Sequence, residues 1–199
     1  MEKIIICVGL AFLTASIMKV LNVLTGRASI LLGVLLFIVL NWGSYKLFWA
    51  LLLIFSMVVV VDLVFGKKSK SITNGINQKS GARDTVQILS NCLIAVIAVL
   101  LCQILNNVLF TVVFFAVISE TVGDSMASDI GVLSKSRPID ICTFKTIEPG
   151  LSGGVSLLGF MASFIMCLYC VLVYYLLFNN NMLFSFVILF CAMSGVVCD

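Results

Sequence analysis

The sequence predicts an all-α fold, a polytopic helical membrane protein with six to seven transmembrane helices. Three observations carry that prediction. Of 199 residues, 62% are hydrophobic and only 11% charged, where soluble domains run at about 45–50% and about 25%. The mean hydropathy is +1.23. The apolar residues fall into long runs with short polar breaks, as expected where backbone polar groups have no water to bond and must pair within helices.

The runs are Ile4–Val23, Ala28–Leu40, Leu47–Phe65, Val86–Ile104, Val108–Val122, Val155–Phe178 and Met182–Val197. Crossing the hydrocarbon core takes about 20 residues, so Ala28–Leu40 is short and reads as tilted, half-inserted or re-entrant. Seven spans are preferred, within a single integral-membrane domain over 1–199. The first run is too long for a signal-peptide core, carries Lys19 at its far end and lacks a small-residue cleavage site, so it is expected to be retained. With seven spans, one side receives ten basic residues: Lys19, Arg27, Lys67, Lys68, Lys70, Lys79, Arg83, Lys135, Arg137 and Lys145. The other receives only Lys3 and Lys46. The basic side is expected to be cytoplasmic, which puts the N-terminus outside and the C-terminus inside. Trp42, Tyr45 and Trp49 cluster at the outer end of a span, as an interfacial belt would.

Composition also narrows the chemistry. There is no histidine, which removes Ser-His-Asp triads, Cys-His dyads and His-ligated zinc. The net charge of +3 is small and dispersed, so no nucleic-acid partner is expected. Cys7, Cys92, Cys102, Cys167, Cys170, Cys191 and Cys198 lie in or beside apolar runs, with Cys142 in a loop. They read as small hydrophobes.

Two loops on the basic side are long. Gly66–Asp84 is rich in Lys, Ser, Asn and Gly and reads as a solvated linker touching anionic lipid heads. Gly123–Gly154 is mixed in charge and holds the only two prolines, Pro138 and Pro149. It is the expected place for an active site. Glu120 and Asp124 sit four apart at the end of the fifth helix, about 40° apart on one face, beside a small-residue ridge of Gly123, Ala127 and Gly131. Like charges at that spacing repel, and a bridging divalent cation would relieve them, since magnesium typically takes one or two carboxylates plus substrate phosphates. Pairing with Lys145, Arg137 or Arg83, or contact with headgroup water, would relieve them equally. Asp129 joins the same cation only if the helix ends before it.

The stretch Thr143–Gly154 runs into the sixth apolar run, and a glycine-rich turn feeding a helix N-terminus presents free amides to an anion. Lys145 adds a point charge, and Ser152, Gly153 and Gly154 are the candidate phosphate-binding residues. Close helix packing by the two glycines is the alternative. Arg83, Gln87 and Asn91 recur every four residues at the start of the fourth run, a polar stripe suited to a pocket or to hydrogen bonds between helices. All three groups lie toward the basic side, so one shared polar pocket is expected.

Gly81–Asn91, Ser119–Gly131 and Pro149–Gly159, in that order and spacing, resemble the integral-membrane family that contains transmembrane protein 19 and plant phytyl-phosphate kinase, catalogued as a domain of unknown function. The resemblance covers nearly the whole chain. Through it the sequence is similar to membrane-embedded CTP-dependent lipid kinases and CDP-diglyceride synthetases, which pair an Asp-containing helix with a Lys- and Gly-rich segment. The counterparts here are Asp124 and Lys145–Gly154. The resemblance implies magnesium-dependent transfer of a phosphoryl group from a nucleoside triphosphate, CTP in the related kinases, to an isoprenoid monophosphate such as phytyl or geranylgeranyl phosphate. Asp124 and Lys145 would be catalytic, and Glu120, Asp124 and Asp129 would hold magnesium. Arg83, Gln87, Asn91 and Asp199 would line the pocket, with the lipid acceptor entering laterally from the bilayer. One departure bears on competence: in the family, the segment like Gly195–Asp199 continues into Asp-Ser-Leu-Leu-Gly and beyond, whereas this chain stops at Asp199. That reads either as a fragment or as loss of part of the site. The rival readings are a polyprenol kinase or cytidylyltransferase, and a non-enzymatic transporter or scaffold. Against the last, the polar residues gather at one membrane face and no pair of interrupted helices marks a repeat.

Overall fold

The computed structural model describes residues 2–20, 24–73, 84–141, 143–148, 153–178 and 181–198. Among them are seven helices: α1 (Glu2–Val20), α2 (Gly26–Trp42), α3 (Tyr45–Thr73), α4 (Thr85–Leu105), α5 (Leu109–Gly131), α6 (Leu157–Leu177) and α7 (Met182–Cys198). Two-residue strands β1 (Ile139–Asp140) and β2 (Gly154–Val155) lie between α5 and α6 and pair antiparallel. The protein is an all-α membrane protein. Four helices are long and apolar enough to cross a bilayer, over Tyr45–Gly66, Thr85–Leu105, Leu109–Gly131 and Leu157–Leu177; Ile4–Val20, Gly26–Trp42 and Met182–Cys198 are apolar but shorter.

Two helices outrun their apolar runs. α3 continues past Phe65 to Thr73, so the first part of the expected Gly66–Asp84 linker is helical. α5 continues past Val122 to Gly131, taking the start of the expected Gly123–Gly154 loop with it. In both cases the helix leaves the apolar stretch with its backbone ladder intact, because breaking the ladder at the hydrocarbon edge would strand donors and acceptors.

The chain forms two compact units, one of Met1–Leu52 and Gly81–Ile118, the other of Leu53–Ser80 and Ser119–Asp199. In the first, α1 packs on α2 and α2 on α4. Small residues make the first contact close: Cys7, Ala11 and Ala15 are buried on one face of α1, and a Cβ added at Gly33 of α2 would lie 3.5 Å from the Ala15 Cβ. Helix ends are capped by side chains. Thr25 accepts from the Ala28 amide and Asp84 from the Gln87 amide at 2.9 Å. The α4–α5 turn is made by Asn106, in the left-handed region at φ 45°, and Asn107, whose Oδ1 accepts the Leu109 amide at 2.9 Å. Trp42, Tyr45 and Trp49 flank the α2–α3 turn and are exposed, in keeping with an interfacial belt.

In the second unit α5 and α6 run antiparallel at very short range. The Cys167 thiol donates to the Ser119 carbonyl at 3.4 Å. A Cβ at Gly123 would sit 2.8 Å from Cys167 Sγ and 3.1 Å from a Val196 methyl of α7. Farther along, a Cβ at Gly159 would sit 2.8 Å from the Ala127 carbonyl and 3.1 Å from the Gly131 Cα. The ridge Ser119, Gly123, Ala127 and Gly131 thus meets Gly159, Ser163 and Cys167, the small-residue packing by which helices associate in lipid. Ser156 locks the open end. Its hydroxyl donates to the Gly131 carbonyl and accepts from the Gly159 amide, both at 3.1 Å, so one side chain caps the end of α5 and the start of α6.

Gly159→Ala should therefore destabilise, by about 1–3 kcal/mol on the scale of overpacked cores, because the obstruction is backbone. Gly9→Ala, with nothing within 4 Å of the new Cβ, should be neutral or stabilising by up to about 1 kcal/mol from helix propensity. Unfolding midpoints of both variants in the same detergent would check the contrast.

Candidate functional site

The acidic pair lies on α5 where that helix meets α7. Glu120 and Asp124 are one helical turn apart on a single face and both are half-buried. Glu120 packs under α7: a Cβ at Gly195 would sit 2.5 Å from Glu120 Cγ. Around it, the Thr121 hydroxyl donates to Glu120 Oε2 at 3.4 Å and the Ser125 hydroxyl to the Thr121 carbonyl at 2.9 Å. The missing side chain at 195 leaves room for the Glu120 stem against α7. No sequence signal announces that role, because it depends on which helix face arrives opposite.

Asp129 is separated from the pair. α5 is continuous through Gly131, so Asp129 stands about 140° around the axis from Asp124. Among the described residues, no group of three or more His, Cys, Asp or Glu is placed to hold a metal ion. What α5 offers on one face is two carboxylates, enough for a cation whose remaining ligands are phosphate oxygens and water.

The Lys- and Gly-rich segment takes a form the sequence does not foretell. The glycines do not open α6. Gly154 belongs to β2, opposite Asp140, and Gly153, at φ +80°, accepts the Ile141 amide on its carbonyl at 3.1 Å. The helix itself starts after Ser156, so its first-turn amides belong to Leu157, Leu158 and Gly159, and that of Gly159 is already bonded to Ser156. Lys145 is exposed on the turn that follows β1, its carbonyl accepting the Asp140 amide at 2.9 Å. A serine immediately before an apolar run is a recognisable helix start, so the role of Ser156 was open to sequence reasoning.

Gln87 and Asn91 are half-buried one turn apart on α4, in the first unit, with the Ser90 hydroxyl 3.3 Å from Asn91 Oδ1. Arg83, Ser152 and Asp199 lie outside the described residues. One acid is not anticipated from the sequence: Asp62, half-buried within the candidate span Tyr45–Gly66, its carboxylate lying over Gly66 so closely that a Cβ there would collide with it. An ionisable residue inside an apolar helix is a signal in its own right.

The Glu120–Gly195 contact can be tested by coupling. Gly195→Ala should destabilise by forcing the glutamate aside, and Glu120→Ala should remove the obstruction. The double variant should then lose less stability than the sum of the two singles, with a coupling of about 0.5–3 kcal/mol, read from unfolding midpoints across the four proteins.

Known proteins are similar to parts of this chain. The chain is 27% identical over 144 residues to the "Uncharacterized membrane protein MJ0933" of Methanocaldococcus jannaschii, spanning 72% of this chain and 58% of that one. It is 30% identical over 128 residues to "Protein PGR" of Arabidopsis thaliana, spanning 57% of this chain and 44% of that one. The chain thus spans about half the length of the curated relatives it matches. No solved structure matches it. Residues 6–199 match the family described as Integral membrane protein DUF92, and on that match, which takes in the acidic helix, the Lys- and Gly-rich segment and α7 together, the chain belongs to this family of integral membrane proteins.

Proposed function

We propose that the protein is a membrane kinase that transfers a phosphoryl group from a nucleoside triphosphate, CTP by the family resemblance, to an isoprenoid monophosphate such as phytyl or geranylgeranyl phosphate. The observation that carries the reading is the half-buried pair Glu120 and Asp124 on one face of α5, in the same unit as Lys145. Family membership supports it.

Two like charges a turn apart destabilise a helix by about 0.2–0.5 kcal/mol in water, and more where water is scarce. A divalent cation fits the pair, and magnesium held there would neutralise phosphate charge as the γ-phosphoryl group leaves its nucleotide. The chain's own part is positioning. The acceptor's terminal phosphate oxygen forms the new P–O bond, the bond to the β-phosphate oxygen breaks, and nucleoside diphosphate leaves. Lys145 would offset the charge gathered on the transferring oxygens, and the segment around Gly153 and Gly154 would let the nucleotide approach the backbone. Such transfer is mainly alignment and electrostatic stabilisation, so it needs no histidine. By the count of basic loop residues, this chemistry faces the cytoplasm, and the acceptor reaches it from the adjoining leaflet.

The test is phosphate transfer in detergent or nanodiscs, with γ-labelled CTP or ATP, magnesium, and phytyl or geranylgeranyl monophosphate. Wild type should place label in a prenyl diphosphate, and chelating the magnesium should abolish it. Asp124→Asn should reduce turnover on the order of 100-fold or more, as loss of a transition-state electrostatic partner does, with an unfolding midpoint no lower than that of wild type. Near-normal turnover of that variant would overturn the assignment of Asp124. A product retaining the CMP moiety would replace phosphoryl transfer by nucleotidyl transfer.

A further inference from the structure

The hairpin after α5 carries a feature that this chemistry does not use. Ile139 pairs with Val155 and also bridges to Thr146. Between Ile139 and Thr146 the chain turns tightly: the Asp140 amide donates to the Lys145 carbonyl at 2.9 Å, the Phe144 amide to the Asp140 carbonyl at 2.8 Å, and the Thr143 amide to Asp140 Oδ1 at 2.7 Å. The turn demands a left-handed residue at 144, and Phe144 supplies it at φ 55°. Glycine or asparagine occupies such a position at little cost; a bulky side chain is strained there. The strain is not offset by burial within the chain. Phe144 is 82% exposed, with Ile139 at 48% and Ile141 at 37% beside it. Lys135, Arg137 and Lys145 are exposed on the same segment, while Asp140 is engaged by the turn.

These side chains lie close to the end of a candidate span. Val155, the partner of Ile139, lies one residue before Ser156, the cap of the candidate span α6. Because Thr146 folds back onto Ile139, the tip at Phe144 is within about three residues of that level, a reach of roughly 10 Å. The headgroup layer is about 5–8 Å deep on each side of the hydrocarbon. We propose that the hairpin Ile139–Thr146 is an interfacial anchor, with Phe144, Ile139 and Ile141 set among the headgroups of an anionic leaflet and Lys135 and Arg137 toward its phosphates. Aromatic and aliphatic side chains flanked by cations suit that layer. The anchor stands whether or not the protein is a kinase, because its readout needs no turnover.

The experiment places tryptophan at the tip, Phe144→Trp, in a Trp42→Phe/Trp49→Phe background, in nanodiscs of phosphatidylcholine with a minority of phosphatidylglycerol. An anchored tip gives blue-shifted emission, quenched by nitroxide-headgroup lipid and shielded from aqueous acrylamide. Emission quenched by acrylamide and untouched by the nitroxide overturns the proposal. So does emission shielded from both, which would place the tip against protein. If the substituted background does not fold, trypsin gives the second reading through Phe144→Asn, which keeps a left-handed turn and removes the apolar tip. Cleavage after Lys145 in nanodiscs should rise by about tenfold in that variant over the otherwise native chain, in proportion to the population of the open tip. Equal cleavage of the two overturns the anchor.

Discussion

The near-touching of α5 and α6 is the constraint on which the second unit depends. In lipid, apolar side chains gain little by leaving an equally apolar solvent, so helices associate through close packing and hydrogen bonds. Gly123, Gly131 and Gly159 supply that packing, since at each a side chain would meet Cys167, the Gly159 backbone or the Ala127 carbonyl. The helices can approach because those positions are empty. The Cys167 thiol and the Ser156 hydroxyl then satisfy carbonyls on the facing helix.

The same approach sets the acidic pair. With the face bearing Gly123 committed to Cys167 and Val196, the adjoining face holding Glu120 turns toward α7, where Gly195 receives it. Asp124 follows one turn on. Charge placement is therefore a by-product of small-residue packing: enlarging a glycine on either partner moves a carboxylate.

The helices were legible because run length is a strong signal. Each apolar stretch became one helix, down to the short second run, whose helix reaches Trp42. The extension of α3 was not, since Lys and Ser just past an apolar run read as loop until a neighbour or solvent decides otherwise, while that of α5 showed only in the helical spacing of Gly123, Ala127 and Gly131. Gly153 and Gly154 looked like a helix entrance, yet they pair with Asp140 and Ile141, a contact no local pattern records. The spacing of Glu120 and Asp124 was visible at once, being fixed by helical geometry, while the hand of Gly195 in it required the fold.

Ser156 has a further consequence. By joining the last carbonyl of α5 to the first turn of α6, one hydroxyl fixes where the connecting segment must begin and end, independent of what lies between. Closing a loop whose ends are already held costs only slowly more as it lengthens. Outside the paired hairpin and Lys145, residues can therefore be gained or lost in that connection while the two helices keep their register.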